Sequence, residues 1–151
     1  MPEKKTIERA RKDAREGKSP STQAGEFVRE EMDHVREGKH GARSAKQAIA
    51  IGLSKARRAG VKLKPPRKGQ TSERTRNQAK RDAAKGNSGT GATTSRTRSR
   101  ATSQALRREG SRAASHEALS RHAHASAKQR GASSRKAAAR KAAATRARRR
   151  G

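Results

Sequence analysis

The chain has no cysteine, tyrosine or tryptophan, and a single phenylalanine, Phe27. Without cysteine there are no disulfides, thiolate metal ligands or thiol nucleophiles, which fits an intracellular protein. Without aromatic side chains there is no platform on which unpaired bases stack, the usual device of modules that read single strands. No apolar run approaches the ~20 residues of a membrane-spanning helix. The opening MPEKKTIERARKD lacks the apolar core of a secretory signal. Acidic residues are also scarce: 13 Asp and Glu stand against 41 Lys and Arg, a formal charge of +28 over 151 residues. Hydrophobic residues make up 28% of the chain, and most of these are alanine. Such a chain is expected to lack the apolar surface needed to offset ordering entropy along its whole length.

Charge and apolar content both change near Pro65-Pro66. Residues 1–66 carry 17 Lys/Arg against 9 Asp/Glu, and residues 67–151 carry 24 against 4. After residue 66 the large aliphatic side chains reduce to Leu106 and Leu119. The expected fold class is therefore mostly α: a two- to three-helix minidomain over 1–66, followed by a basic, largely disordered tail over 67–151 with conditional helices.

Within the first part, the pattern predicts helices over about 3–16, 21–37 and 44–59. The third has the most complete signals. Ser44-Ala45-Lys46-Gln47 reads as a capping box. Ala45, Ala48, Ile49, Gly52, Leu53 and Ala56 fall on one stripe, and Gly60 suits the residue past the helix end, with Val61 placed to touch Ala56. The second helix presents Ala24, Phe27, Val28, Met32 and Val35 at helical spacing, which makes Phe27 a core residue. Arg-Glu-Gly-Lys occurs at 15–18 and again at 36–39; recurrent helix-stop chemistry explains this better than duplication. Helices two and three are expected to pack together, with the first loosely attached. The short connection His40–Arg43 also suits a helix-turn-helix, although ordinary helical hairpins share it.

Beyond residue 60, Val61 to Gly69 reads as an extended linker because each proline disfavours helix in the residue before it. Residues 71–85 have helix-forming composition but no apolar face beyond alanine, and 86–103 read as disordered. The tandem RKAAA-RKAAA over 135–144 repeats every five residues, so its cations spread around a helix. It is expected to be coil until a polyanion neutralises it.

Cationic density carries the functional signal. A polycation binds nucleic acid by releasing condensed counterions, which requires Lys and Arg near phosphates and no particular fold. With so few aromatics, the expected contacts are to backbone and shape, with little sequence preference. The candidate nucleic-acid-binding residues are Lys46, Lys55, Arg57 and Arg58 on the third helix, and Arg67 and Lys68 in the linker. In the tail they are Arg96, Arg98, Arg100, Arg135, Lys136, Arg140, Lys141, Arg146, Arg148, Arg149 and Arg150. His116, His122 and His124 lie close in sequence but point to different sides of a helix, with no completing ligand. No Walker loop, Ser/His/Asp pattern or catalytic carboxylate pair is present. The expectation is a non-enzyme with no catalytic, cofactor or metal site.

At KQAIAIGLSKARRAG (46–60), preceded by GKHGARS, the sequence resembles a family of small, basic, uncharacterised bacterial and phage proteins sharing a K-Q-A-I-A-I-x-L-S-x-A core. The resemblance spans roughly 1–66 and implies no catalytic or binding residue. RKAAARKAAAT resembles the Ala/Lys/Arg tails of bacterial histone H1-like proteins. These readings lead to one expectation: a histone-like, nucleoid-associated protein of the bacterial cytoplasm that binds DNA in preference to RNA, without membrane association. An RNA- or ribosome-associated role is the first alternative. An adaptor whose second and third helices bind a protein partner through residues 1–66 is the second.

Overall fold

The computed structural model describes residues 1–88 and 95–148, which divide into two compact units, Met1–Ser115 and His116–Gly151. The described residues are dominated by α-helix, in seven segments: α1 (Lys4–Arg15), α2 (Pro20–Arg36), α3 (Ala45–Arg58), α4 (Glu73–Asn87), α5 (Arg96–Arg107), α6 (His116–Gln129) and α7 (Gly131–Arg148). A 3₁₀ turn, Ser111–Ala114, closes the first unit.

The predicted signals set the C-terminal end of α1 and both ends of α2 and α3, while α1 starts from Glu3 without a side-chain cap. Ser19 and Ser44 each accept from the backbone N–H three residues on, Thr22 at 3.4 Å and Gln47 at 3.2 Å. The Gln47 side chain reaches back one residue further than a capping box requires and accepts from the N–H of Arg43 at 2.8 Å. At the other ends, Gly17, Gly38 and Gly60 all have φ between 70° and 91°. Each builds the same paired closure, for example Val61 N–H to Ala56 C=O at 3.1 Å and Gly60 N–H to Arg57 C=O at 3.0 Å. The Arg-Glu-Gly-Lys echo is thus one helix stop used twice, at Gly17 and Gly38.

Consecutive helices pack as neighbours: α1 on α2, α2 on α3, and α3 on α4. The core gathers Ala10, Ala24, Phe27 and Ala56, with Ile7, Leu53, Val61 and Leu63 packed against it. Phe27 is buried, as its register requires. The α2–α3 approach is tight because Gly52 faces α2; a Cβ there would lie 2.7 Å from Val28 Cα. After α3, Val61, Leu63 and Pro65 are partly buried while Lys62 and Lys64 are exposed. This alternation is that of an extended strap.

The long, largely disordered tail is not present among the described residues. The physical reason is that α4 docks without large apolar side chains. Ser72 caps it by accepting from Thr75 N–H at 3.2 Å. Ala79 is buried against the bundle, and Asp82 is 2% exposed. Gly86 sits directly against the Arg57 carbonyl of α3. Residues 106–115 dock by the same means. Gly41 N–H donates to Leu106 C=O at 2.8 Å, and Ala42 N–H to Gly110 C=O at 3.1 Å. Ala113 and Ala114 are buried, and Arg36 Nε donates to Ala114 C=O at 3.1 Å. Of the span 86–103, residues 96–103 lie in α5, while 89–94 lie outside the described residues.

In the second unit, α6 and α7 meet at their junction, where α7 opens on Gly131 at φ 73°, and neither helix holds a buried residue. The RKAAA tandem is helical within α7, not coil. Alanine and the long cationic side chains are strong helix formers. Within the tandem, Lys136 and Arg140 are the one like-charge pair at i,i+4, a spacing whose repulsion costs only a few tenths of a kcal/mol.

Candidate nucleic-acid interface

Four α3 cations are expected to face nucleic acid; the structure pairs three of them within the bundle, with Lys55 and Arg57 shielded and Arg58 still exposed. Lys55 Nζ lies 2.7 Å from Glu31 Oε2 and 3.3 Å from Glu30 Oε1 on α2. Arg57 is buried, and its Nε donates to the Leu63 carbonyl at 3.4 Å. Burial pushes the Arg57 pKa down, while the charge of Asp82 opposes that shift. Arg58 Nε pairs with Asp82 Oδ1 at 3.3 Å, and its Nη2 donates to Ser54 Oγ at 2.9 Å. Asp82 also accepts from the Ser54 hydroxyl and from Gln78 Nε2. This correction has a simple cause: α3 lies between α2 and α4, so its polar side chains meet the carboxylates of both. Lys46, at the N-terminal end of α3, remains exposed.

The other candidates in the first unit face outward. Arg67 and Lys68 are exposed in a turn closed by Gln70 N–H to Arg67 C=O, with Gly69 at φ 85°. Arg96, Arg98 and Arg100 are exposed on α5. Arg100 and Arg107, two turns apart, flank Ser99, Ser103 and Gln104 in an open depression along that helix.

The second unit is more one-sided in charge. Its 11 Lys and Arg face one acidic residue, Glu117. Arg121 and Lys128 on α6 and Arg130 just after it are exposed, as is every residue of α7. Arg135, Lys136, Arg140, Lys141, Arg146 and Arg148 distribute around the α7 circumference, without a preferred face. Arg149 and Arg150 lie outside the described residues. Thus the exposed candidates fall on α3 (Lys46 and Arg58), on the 67–71 turn, on α5 and on α7.

A further cluster was passed over in the sequence because its members are far apart along the chain. Glu31 is fully buried on α2. His40, after the helix stop, brings Nε2 to 3.1 Å from Glu31 Oε1 and holds its Nδ1 3.0 Å from the Gly41 carbonyl. His34, one turn beyond Glu31, places Nε2 2.9 Å from Glu3 Oε1. The Glu3 N–H donates to Glu30 Oε2 at 3.1 Å. Glu3 has its pKa lowered, first by the hydrogen bond from His34 and then by Lys39. Glu31, His34 and His40 offer ligand atoms that all lie within 4.8 Å of one another. The i,i+3 spacing of Glu31 and His34 is the one signal the sequence offered for this cluster.

No curated protein and no solved structure matches the chain. Residues 15–69, from the end of α1 through the strap and into the turn at Gly69, match the model of a family of unknown function (DUF6496), and this span contains Glu31, His34, His40 and Lys55.

Proposed function

We propose that this protein binds nucleic acid without catalysis and with little sequence preference, DNA being the favoured partner, through Lys and Arg contacts to phosphates. The observation that carries the reading is α7: an exposed helix with cations on all sides, in a chain that has no acidic residue after Glu117. The first unit contrasts with it. There Glu3, Glu16, Glu30, Glu31 and Asp82 are all paired with cations, so part of that unit's positive charge is neutralised internally. Charge around a whole helix suits contact with phosphates on either side of a groove. It offers no ordered face with which to read base edges. A histone-like, nucleoid-associated role follows from such binding.

The test is binding of the full chain to duplex DNA and duplex RNA across a salt series. The expected result is a steep fall of affinity with salt, by roughly 0.9 in the log–log slope for each phosphate contact on B-DNA. The quadruple variant R135A/K136A/R140A/K141A should lower the slope by about three to four. An unchanged slope refutes the role of α7. A marked preference for duplex RNA at equal salt favours the RNA-associated alternative.

A further inference from the structure

We propose that Glu31, His34 and His40 form a site for one divalent transition-metal ion of the zinc class, at the turn between α2 and α3. The proposal stands apart from nucleic-acid binding, because none of its residues is among the exposed cations of α5 or α7.

The argument starts from Glu31. Its side chain has no exposed surface, and neither carboxylate oxygen has a hydrogen-bond partner among the described residues. Lys55 is 2.7 Å from Oε2 and His40 is 3.1 Å from Oε1, yet neither approach has hydrogen-bond geometry. A buried carboxylate without such bonds is costly. The second observation concerns His40. A carbonyl only accepts, so the contact between Nδ1 and Gly41 C=O makes Nδ1 the N–H of the neutral ring. The Nε2 lone pair then faces Glu31 Oε1 at 3.1 Å. Two lone-pair donors at that separation match the edge of a tetrahedron with zinc–ligand bonds of ~2.0–2.1 Å, roughly 3.3–3.4 Å.

His34 completes the set. Its Nε2 meets the Glu3 carboxylate, so in the neutral ring Nε2 carries the proton and Nδ1 carries the lone pair. Metal-binding histidines are commonly oriented by an outer carboxylate or carbonyl in this way. Here both rings have one: Glu3 for His34 and the Gly41 carbonyl for His40. Two nitrogens and one carboxylate oxygen suit zinc, cobalt(II) or nickel(II) and leave a fourth position for water. The bound ion would tie the end of α2 to the turn before α3 and, through Glu3, to the start of α1.

The full chain, stripped with chelator, is titrated with zinc by calorimetry and with cobalt(II) by visible absorption. The expected outcome is one ion per chain, an intense four-coordinate cobalt spectrum and a zinc-dependent rise in melting temperature. H34Q and H40Q should each weaken zinc binding at least ~10-fold while keeping the helical circular dichroism of the parent. H122Q/H124Q, on α6, should leave binding unchanged. No zinc uptake by the parent chain, or only a weak six-coordinate cobalt spectrum, overturns the proposal. So does parental zinc affinity in folded H34Q and H40Q. Glu31→Gln is not the deciding variant, because it also removes the buried partner of Lys55.

Discussion

Substituting Gly86 by alanine tests whether α4 is seated on α3. On a helix free in solvent, glycine to alanine stabilises by about 0.8–1.0 kcal/mol. In the structure the added Cβ would fall well inside 3.0 Å of the Arg57 carbonyl oxygen and 3.1 Å from Gly60 N. That carbonyl cannot easily give way, because it accepts the Gly60 N–H at 3.0 Å in the helix closure of α3. The last turn of α4 must therefore lift. Overpacking of this kind costs typically 1–3 kcal/mol. The cost is capped by the free energy of seating α4, because the helix can detach while the rest of the unit stays folded. That seat includes the hydrogen bonds to the charged Asp82, worth ~1.5–3 kcal/mol. Set against the propensity gain, the net expectation is a loss of roughly 0–2 kcal/mol. Urea unfolding followed by circular dichroism reads the sign. Hydrogen exchange reads the location, with protection falling in α4 and holding in α2 and α3. A G86A chain more stable than the parent by the full ~0.8–1.0 kcal/mol of a free helix refutes the seating of α4.

Two further outcomes follow from the charges. Lys55→Ala strips the cation from Glu30 and Glu31, whose side chains are 3% and 0% exposed, and should cost about 3 kcal/mol or more. Lys46→Ala, nine residues earlier on the same helix, should stay within about 0.5 kcal/mol; equal urea midpoints for the two variants contradict the inward assignment of Lys55. The second concerns pH. Lys18 Nζ clamps Asp13 at 2.7 Å and Glu16 at 2.8 Å just past α1. The hydrogen bond from Lys18 is the main cause that lowers the Glu16 pKa, and Asp13 followed by Glu16 raise that of Lys18. A lowered acid stabilises above its unfolded pKa and loses that contribution as pH falls through the folded value. A raised lysine stabilises below its unfolded pKa and loses it as pH rises through the folded one. The melting difference between the parent and Lys18→Ala should thus be present at neutral pH and shrink toward zero in acid. A difference that persists fully at pH 3 excludes the clamp as its source.

Helix ends were the most legible feature of the chain. Ser19, Ser44, Gly17, Gly38 and Gly60 act through their own neighbours, so the information for those caps is local and sequence alone determined where α1 stops and where α2 and α3 start and stop. Phe27 was legible for a similar reason, since one helix face held the few large apolar residues. The outward cations of α7 could also be read, because no acidic residue follows Glu117 to pair with them. The seating of α4 and of residues 106–115 was not legible. It rests on Gly41, Gly86, Ala79, Ala113 and Ala114, small residues whose value lies in what they allow a neighbour to approach. It rests also on Asp82, a carboxylate that looks solvated until Ser54, Gln78 and Arg58 surround it. The same limit applies to Lys55, Arg57 and the Glu31–His34–His40 cluster. Only the tertiary structure decided which charges meet each other and which are left to meet a partner, because a charged side chain carries its sign in the sequence but finds its counterion through space.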